Sequence, residues 1–306
     1  MRFLTATALI ALATSAAFAA DNQAWKEDYQ VIKFGVLSGE NEQDRVKRWT
    51  PFVEYLERAL GVEVEVFTAG NYDGVIQAMA ADQIEFARLG SSSYAAAYTA
   101  TNGGVVPFLT PKKADGTTGY YSVVTVRCDS GYTSLADLEG KVLAFADPDS
   151  TSGYAVPYYN IAQEYDPKTF FADTPFSGSH EAGVSGVVQG TFDAAATWQN
   201  NAVDGRWQRM VQKGMINEGE ICVIWESPEI TTGPFTARAN LPAELIEAVT
   251  LAIEEMPTKD QKAFRLLQNW TADNPNNVES YERVDHDRYQ WIVDMRAWLR
   301  KQRRSG

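Results

Sequence analysis

The chain has 306 residues, 45% of them hydrophobic, and its 27 basic and 40 acidic residues give a formal net charge of −13. That length is enough for two ordinary domains with a sizeable core. The acidic balance argues against nucleic acid and anionic membranes as partners, although a cleft lined with hydrogen-bond donors can still hold an anionic small molecule.

The first residues, MRFLTATALIALATSAAFAAD, have the pattern of a secretory signal peptide. One arginine precedes an apolar run of small and aliphatic residues, and Ala-Phe-Ala stands just before Ala20. We expect residues 1–19 to be cleaved off and the mature protein to be periplasmic. The residue directly after the cleavage point is not a cysteine, so no lipid anchor is predicted. No later apolar run is long enough to span a membrane.

The first third of the mature chain alternates between strand and helix patterns. Pro51 suits the first turn of a helix beginning at Arg48, and Gly61 suits its end. The series predicts the start of a parallel sheet and an α/β fold. In chain order its segments are strand VIKFGVLS, loop GENEQD, helix RWTPFVEYLERALG, strand VEVEVFTAG, helix YDGVIQAMAADQ, strand IEFARLG and short helix SSSYAAAYTATNGG.

The middle of the chain continues the alternation and then returns to helices from about Pro242. Its predicted strands are GYYSVVTVRCD, KVLAFAD, FDAAATW and EICVIWESPEI, with helices opening at SLADLEG and GSHEAG. No linker separates two domains, so we expect the chain to cross between two lobes near 123–127 and again near 224–230. The predicted division is lobe 1 from 20–123 and 229–306, and lobe 2 from 124–228.

Two cysteines, Cys128 and Cys222, occur in strand-like segments of a chain expected in an oxidising compartment. A disulfide and two free buried thiols both fit the sequence. Deciding between them needs the distance between the two Cα atoms, which the sequence does not supply.

Enzymatic patterns are weak in this chain. Its two histidines, His180 and His286, are far apart, so no histidine-based metal cluster is indicated, and we expect no cofactor. Neither a G-x-S-x-G motif nor a P-loop is present. A Ser-His-Asp triad can be written on paper from Ser150 and His180, but a serine within a hydroxyl triplet at a helix start is better suited to donating hydrogen bonds.

The triplet Ser150, Thr151 and Ser152 lies in FADPDSTSGYAVPYY, between a strand and a helix. The free N–H groups of the first helical turn, the helix dipole and three hydroxyls together form an anion site that needs no basic residue. Helix capping would use one hydroxyl only. Three hydroxyls, followed by Gly153 for close approach, favour a ligand.

Other helix starts offer further candidates. His180 in GSHEAG can donate an imidazole N–H to an anion, and Tyr72 in GNYDG can point its phenol into a cleft. Ser91 and Ser92 open the helix after RLG and are possible ligand residues as well. The structural alternatives are an ordinary turn hydrogen bond for the histidine, a core-edge position for the tyrosine and simple capping for the serines.

At DPDSTSGYAVP the chain resembles the substrate-binding proteins of bacterial phosphonate, phosphite and phosphate-type ABC importers. The likeness covers most of the mature chain and includes FGVLS, LGSSSYAAA, GYYSVVTV, the L-x-G-K at 138–141 and GSHEAGV. It implies two α/β lobes of the type II-like clamshell, joined by crossover hinge strands and closing around a ligand. It also implies that Ser150, Thr151, Ser152, Tyr72 and His180 bind the oxyanion, and that the protein is a monomer serving a membrane permease.

At three positions the residue differs from the one found in relatives that bind aminoalkylphosphonates. Those relatives carry acids where this chain has Asn200 and Gly233, and an aromatic residue where it has Leu89. A buried ammonium without a carboxylate would be costly. The sequence therefore favours phosphite, methylphosphonate or a related phosphonate. The alternatives are phosphate, an aminoalkylphosphonate, a sulfonate or, in another class, a secreted serine hydrolase.

Overall fold

The computed structural model describes residues 23–304. The predicted signal peptide, 1–19, lies outside the described residues. The described chain forms two mixed β-sheets, each flanked by helices, and passes from the first sheet to the second and back again. Between residues 23 and 304, no helix is both long and apolar enough to cross a membrane.

The first sheet has the strand order β12-β4-β11-β3-β1-β2. Strand β1 pairs in parallel with β2 and β3, which confirms the predicted parallel start, whereas β11 and β12 run antiparallel to their neighbours. The strands are β1 (Val31–Val36), β2 (Glu63–Thr68), β3 (Phe86–Arg88), β4 (Val105–Lys113), β11 (Phe235–Arg238) and β12 (Val278–Arg283).

Seven helices accompany the first sheet: α1 (Trp25–Asp28), α2 (Glu42–Leu60), α3 (Tyr72–Ala80), α4 (Ser91–Ala100), α9 (Ala243–Lys259), α10 (Gln261–Gln268) and α11 (Gln290–Arg304). Helix α2 begins earlier than predicted, because the Asn41 side chain accepts a hydrogen bond from the Asp44 N–H at 3.0 Å and caps it. Pro51 therefore lies inside the helix and not in its first turn. Gly61, with a φ of 71°, ends it as predicted.

The second sheet is built around β5, which runs antiparallel to β7, β9 and β10. The predicted single strand EICVIWESPEI is two strands, because Pro228 interrupts it and lacks the N–H that pairing needs. The elements are β5 (Gly119–Arg127), β6 (Leu143–Ala144), α5 (Val156–Ile161), α6 (Pro167–Phe170), α7 (His180–Val188), β7 (Ala194–Asn201), β8 (Asp204–Gly205), α8 (Arg206–Gln212), β9 (Ile221–Glu226) and β10 (Ile230–Thr231).

The two crossovers lie between β4 and β5 and between β10 and β11. In the second sheet Tyr120 pairs with Ile230, and Gly119 with Thr231. The chain therefore changes sheet before residue 124 and after residue 228, outside the predicted limits of lobe 2. The difference arises because short pairings at strand ends depend on the partner strand, which the local pattern does not reveal.

Each sheet has its own anchoring contacts. In the first, the buried Phe34 ring packs against Phe52 and Phe235 with centroids 5.0 and 5.9 Å away. In the second, Cys128 and Cys222 are joined by a disulfide, with their Cα atoms 4.9 Å apart. Of the two alternatives that the sequence left open, the structure has the bridge.

Candidate functional site

A cavity of about 270 Å³ lies between the two sheets at the crossovers. Its wall combines loops of the first sheet with the turn and strand ends of the second. The lining includes Gly39, Glu40, Arg48, Tyr72, Arg88, Leu89, Gly90, Tyr120, Ser150, Thr151, Ser152, His180, Trp198, Asn200, Arg206, Arg209, Thr232, Gly233, Leu267 and Gln268.

The hydroxyl triplet forms one end of this cavity, and each of its residues is at most 3% exposed. The Ser150 hydroxyl accepts a hydrogen bond from the Gly153 N–H at 3.0 Å, so this serine caps the helical turn Thr151–Ala155, which leads into α5. A Cβ atom on Gly153 would lie 2.5 Å from the Ala146 Cβ and 2.8 Å from His180 Cε1. Glycine is therefore required here by close packing beneath the triplet.

His180 supports the triplet from below. Its Nε2 lies 3.2 Å from the Ser150 hydroxyl oxygen, and its Nδ1 lies 3.1 Å from that of Thr197. Burial, together with the positive charge of Arg206, lowers the pKa of His180 to about 3. The imidazole is therefore neutral at physiological pH. Both of its ring nitrogens are already occupied by hydroxyl groups, which makes it a group that orients Ser150.

Two tyrosines stand at the same end of the cavity. Tyr72 begins α3, and its backbone N–H donates to Asp147 Oδ2 at 3.3 Å. Its hydroxyl lies so close to the Gly39 backbone that a Cβ there would be 2.9 Å from it. Burial, reinforced by the Asp147 carboxylate, raises the pKa of Tyr72, so the phenol stays protonated and can donate. Tyr120, which sequence reasoning missed, also lines this end of the cavity.

The serines at the start of α4 form hydrogen bonds between the two sheets and do not line the cavity. The Ser92 N–H donates to the Thr151 hydroxyl at 2.8 Å, and the Ser93 hydroxyl donates to the Asp149 carbonyl at 2.9 Å. The Ser91 hydroxyl donates to the Thr231 carbonyl, and that of Ser92 accepts from Arg296 at 2.7 Å. Ser91 and Ser92 are not among the residues that line the cavity.

Arginine residues supply the positive charge that the sequence analysis did not assign. Arg88 ends β3, is half-buried and donates to the carbonyls of Leu89, Gly233 and Pro234. Its guanidinium also lies 5.2 Å from the Phe235 ring centroid. Burial lowers the pKa of Arg88 to about 10, which still leaves it charged at neutral pH. An arginine at the end of a buried strand, in FARLG, was the signal that could have identified it.

The opposite wall carries an ion-pair network, called here the interlobe network, formed by Glu40, Asp44, Glu181, Arg206 and Lys213. Lys213 Nζ, which follows α8, lies 2.8 Å from Asp44, 3.0 Å from Glu181 and 3.4 Å from Glu40. Burial would raise the pKa of Glu40, but the charges of Arg48, Arg206 and Lys213 outweigh it and hold the value at about 2. Glu40 is therefore a neutralised carboxylate.

The three positions that departed from the aminoalkylphosphonate pattern all line the cavity. At Gly233 a Cβ would lie 2.2 Å from the Leu89 carbonyl oxygen, so the site cannot hold an acid there without moving the backbone. Asn200 donates to Asp204 at 2.8 Å. The Trp198 ring is covered by Arg206 and Arg209, with their guanidinium carbons 4.9 and 4.7 Å from its centroid.

Across residues 23–304 no group of three or more His, Cys, Asp or Glu side chains is arranged to hold a metal ion. The cavity instead combines the neutral donors around the hydroxyl triplet with four arginines elsewhere in its wall. Such a cleft between two α/β lobes joined by crossovers defines the class of two-lobed solute-binding proteins.

The chain belongs to the family described as "ABC transporter, phosphonate, periplasmic substrate-binding protein", whose model matches residues 34–289. It is similar to the phosphonates-binding periplasmic protein of Escherichia coli, with 35% identity over 71% of this chain and 63% of that protein. The match thus spans less than two thirds of that relative's length. The phosphate-import protein PhnD of Mycolicibacterium smegmatis is 29% identical over 80% of this chain and 79% of its own.

A solved structure has the same fold. The binding protein component of an ABC phosphonate transporter from Pseudomonas aeruginosa superposes with a TM-score of 0.76 and 26% identity, over 88% of this chain and 86% of that one. The two-lobed clamshell expected from the sequence is thereby confirmed.

Proposed function

We propose that this protein binds a phosphorus oxyanion, such as phosphite, methylphosphonate or a related phosphonate, in the cavity between its lobes. The observation that carries the proposal is the buried triplet Ser150, Thr151 and Ser152 facing the cavity beside the protonated phenol of Tyr72. Neutral donors at a helix start suit the oxygens of a tetrahedral anion. Hydrogen bonds to a charged group contribute about 1.5–3 kcal/mol each, so several support micromolar or tighter binding.

The charge distribution supports an anionic ligand with no ammonium group. Arg48, Arg88, Arg206 and Arg209 line the cavity, and Glu40, its lining carboxylate, is bound by Arg48. An ammonium tail would meet arginines where it needs a free acid. Phosphate remains an alternative head group, in keeping with the name of the M. smegmatis relative. A sulfonate is a third candidate because it presents the same oxygens with less charge.

A binding role without catalysis is part of the proposal. His180 does approach Ser150, as in a serine hydrolase, but its other nitrogen faces the Thr197 hydroxyl and not a carboxylate. The lowered pKa makes the ring a poor proton acceptor. Incubation with an activated phosphoester and an activated carboxylic ester should release no product.

The biological role follows from the family. We infer that the mature protein acts in the periplasm after removal of residues 1–19, closes its lobes on the ligand and delivers it as a monomer to an inner-membrane ABC permease. We propose lobes close to those expected from the sequence, 20–123 with 229–306 and 124–228. With the hinges at the crossovers, β5 and β10 extend the second lobe a few residues beyond 124 and 228.

The test is calorimetric titration of the refolded, ligand-free mature protein with phosphite, methylphosphonate, phosphate, 2-aminoethylphosphonate and sulfate. Tight binding of a small phosphorus oxyanion is expected, with the amino compound weaker. Replacing all three triplet residues by alanine should weaken the tightest ligand by about 100-fold or more, because several charge-assisted hydrogen bonds are lost.

The matched control is Ser280→Ala on the exposed face of β12, which should leave affinity unchanged. Circular dichroism of each variant checks that it is folded. Wild-type affinity in a folded triple variant would refute the assignment of the head group to this turn.

A further inference from the structure

The cavity does not end at the arginines. A second cavity of about 130 Å³ adjoins it and is called here the annex. None of Tyr72, Ser150, Thr151, Ser152 and His180 lines the annex, so it continues from the end opposite the hydroxyl triplet. Seven residues line both spaces: Arg48, Arg88, Asn200, Arg209, Thr232, Leu267 and Gln268.

The shared end carries uncompensated positive charge. Arg88 donates only to backbone carbonyls, and none of the carboxylates in residues 23–304 lies within ion-pair distance of it. Lys113 lines the annex, and its Nζ donates to the Asn200 carbonyl at 3.3 Å. Buried charges are normally paired. Arg88 therefore offers an anion a favourable position at the shared end, and Lys113 adds a cation to the annex beyond it.

The remaining charged groups of this end are neutralised in pairs. Arg209 binds Asp204 through two hydrogen bonds of 2.7 and 3.0 Å, and Arg48 binds Glu40 through its Nε at 2.9 Å. Asn200, Gln268 and Asn274 add amide groups to the wall. No free carboxylate is left among the described lining residues to meet a cation, and the polar wall suits a ligand that is itself polar.

We propose that the ligand is a phosphonate whose substituent ends in a carboxylate, and that this carboxylate binds at the shared end, on Arg88. This inference rests on the proposed function, which places the phosphorus head group on the Ser150 turn. The annex gives a substituent longer than a methyl group space to extend, and Arg88 supplies a planar donor set that matches a carboxylate.

The experiment compares three phosphonates of nearly equal size: 3-phosphonopropionate, propylphosphonate and 2-aminoethylphosphonate. They differ at the far end of the substituent, which is anionic, apolar or cationic. We expect calorimetric affinities in that order, with the carboxylate favoured over the alkyl compound by about tenfold or more. Equal affinities, or a preference for the alkyl or amino compound, would overturn the inference.

Substitution of Arg88 tests whether this residue causes the preference for 3-phosphonopropionate. Arg88→Gln keeps hydrogen-bond donors for the carbonyls but removes a charge from the cavity, so both compounds should bind more weakly. The loss should be larger for 3-phosphonopropionate, whose preference over propylphosphonate should fall to about twofold. An equal loss for both compounds would mean that Arg88 holds the head group, and it would refute this arrangement. Arg58→Gln, an exposed pair with Asp260, is the charge-matched control.

A second variant tests the proposal independently in case Arg88→Gln does not fold. Gln268 donates to the Tyr281 hydroxyl at 3.0 Å, and Gln268→Glu can accept from that hydroxyl instead while placing a negative charge at the shared end. It should weaken 3-phosphonopropionate and strengthen 2-aminoethylphosphonate, and unchanged selectivity would contradict the proposal. If methylphosphonate binds but 3-phosphonopropionate is not preferred over propylphosphonate, only this inference is refuted. If no phosphorus oxyanion binds, the proposed function is refuted as well.

Discussion

At the scale of single residues, the site uses neutral groups whose charge state is set by burial. His180 is 4% exposed, lies against two hydroxyls and is kept neutral by its enclosure. Tyr72 is kept protonated by the same cause. A neutral imidazole and a protonated phenol both donate without adding charge, so selectivity among anions falls to hydrogen-bond geometry and to the arginines farther along the cavity.

His180 should make stability depend on pH. Its folded pKa of about 3 is below its usual 6.5, so between these values the unfolded chain binds the extra proton and stability falls with falling pH. We expect the free energy of unfolding of the ligand-free protein to drop by about 2 kcal/mol between pH 7.5 and 5 through this group. Urea titrations at each pH should show the drop reduced in His180→Gln, and an identical pH profile would exclude this role.

The acidic limb of the same profile has another origin. Glu40, with a folded pKa of about 2 against the usual 4.5, contributes stability that is complete above 4.5 and lost toward pH 2. Glu40 therefore does not titrate between pH 5 and 7.5, so the contributions of His180 and Glu40 to the free energy of unfolding can be measured in different pH ranges.

At the scale of elements, one short segment has three functions. The turn after β6 caps a helix through Ser150, presents hydroxyls to the cavity and accepts a bond from the start of α4 through Thr151. Because α4 belongs to the first sheet and the turn to the second, this contact joins the lobes beside the cavity. The serine run of α4 is thus part of the closed arrangement.

The disulfide acts on a different part of the second sheet. It links β9 to the segment directly after β5, bridging residues 94 apart. In Cys128→Ser/Cys222→Ser the free energy of unfolding should fall by about 2–5 kcal/mol, because the bridge restricts a long loop of the unfolded chain.

Ligand affinity should stay near wild type in that variant, since Cys128 is about 30 Å along β5 from the crossover, at 3.3 Å per residue. Denaturant curves and calorimetry check the two effects. A large loss of binding in the folded variant would mean that the bridge also shapes the cavity.

At the scale of the whole molecule, the two lobes are held together by contacts on both sides of the cavity. The interlobe network closes one side, where the Asn41 N–H also donates to Glu181 at 2.8 Å. On the other, Arg296 of α11 binds Asp149, which precedes the hydroxyl triplet in the second lobe, at 2.6 Å. Such contacts form only when the lobes approach, so they favour the closed state with or without ligand.

Removing one member of this network should therefore weaken binding indirectly. Lys213→Met loses contacts to Glu40, Asp44 and Glu181, although Lys213 itself does not line the cavity. Apparent affinity should fall by roughly three- to tenfold, because less of the free protein is closed, and high salt should produce a similar loss in the wild type.

X-ray scattering checks the mechanism, since the ligand-free variant should have a larger radius of gyration than the ligand-free wild type. The control is Lys112→Met, whose exposed side chain pairs with Glu282 within the first sheet. Equal salt dependence and equal affinity in Lys213→Met and wild type would refute the closing role.

The sequence alone determined the α/β class, the parallel start of the first sheet and the hydroxyl turn, because each depends on local periodicity or on residues adjacent in the chain. It also placed Tyr72 and His180 at helix starts, and both line the cavity. Tertiary structure decided what those patterns could not: that the histidine orients Ser150, that the α4 serines bind across the lobes, and that Arg88 lies unpaired beside the ligand space. These outcomes depend on contacts between segments distant in sequence, where burial and pairing set charge and function.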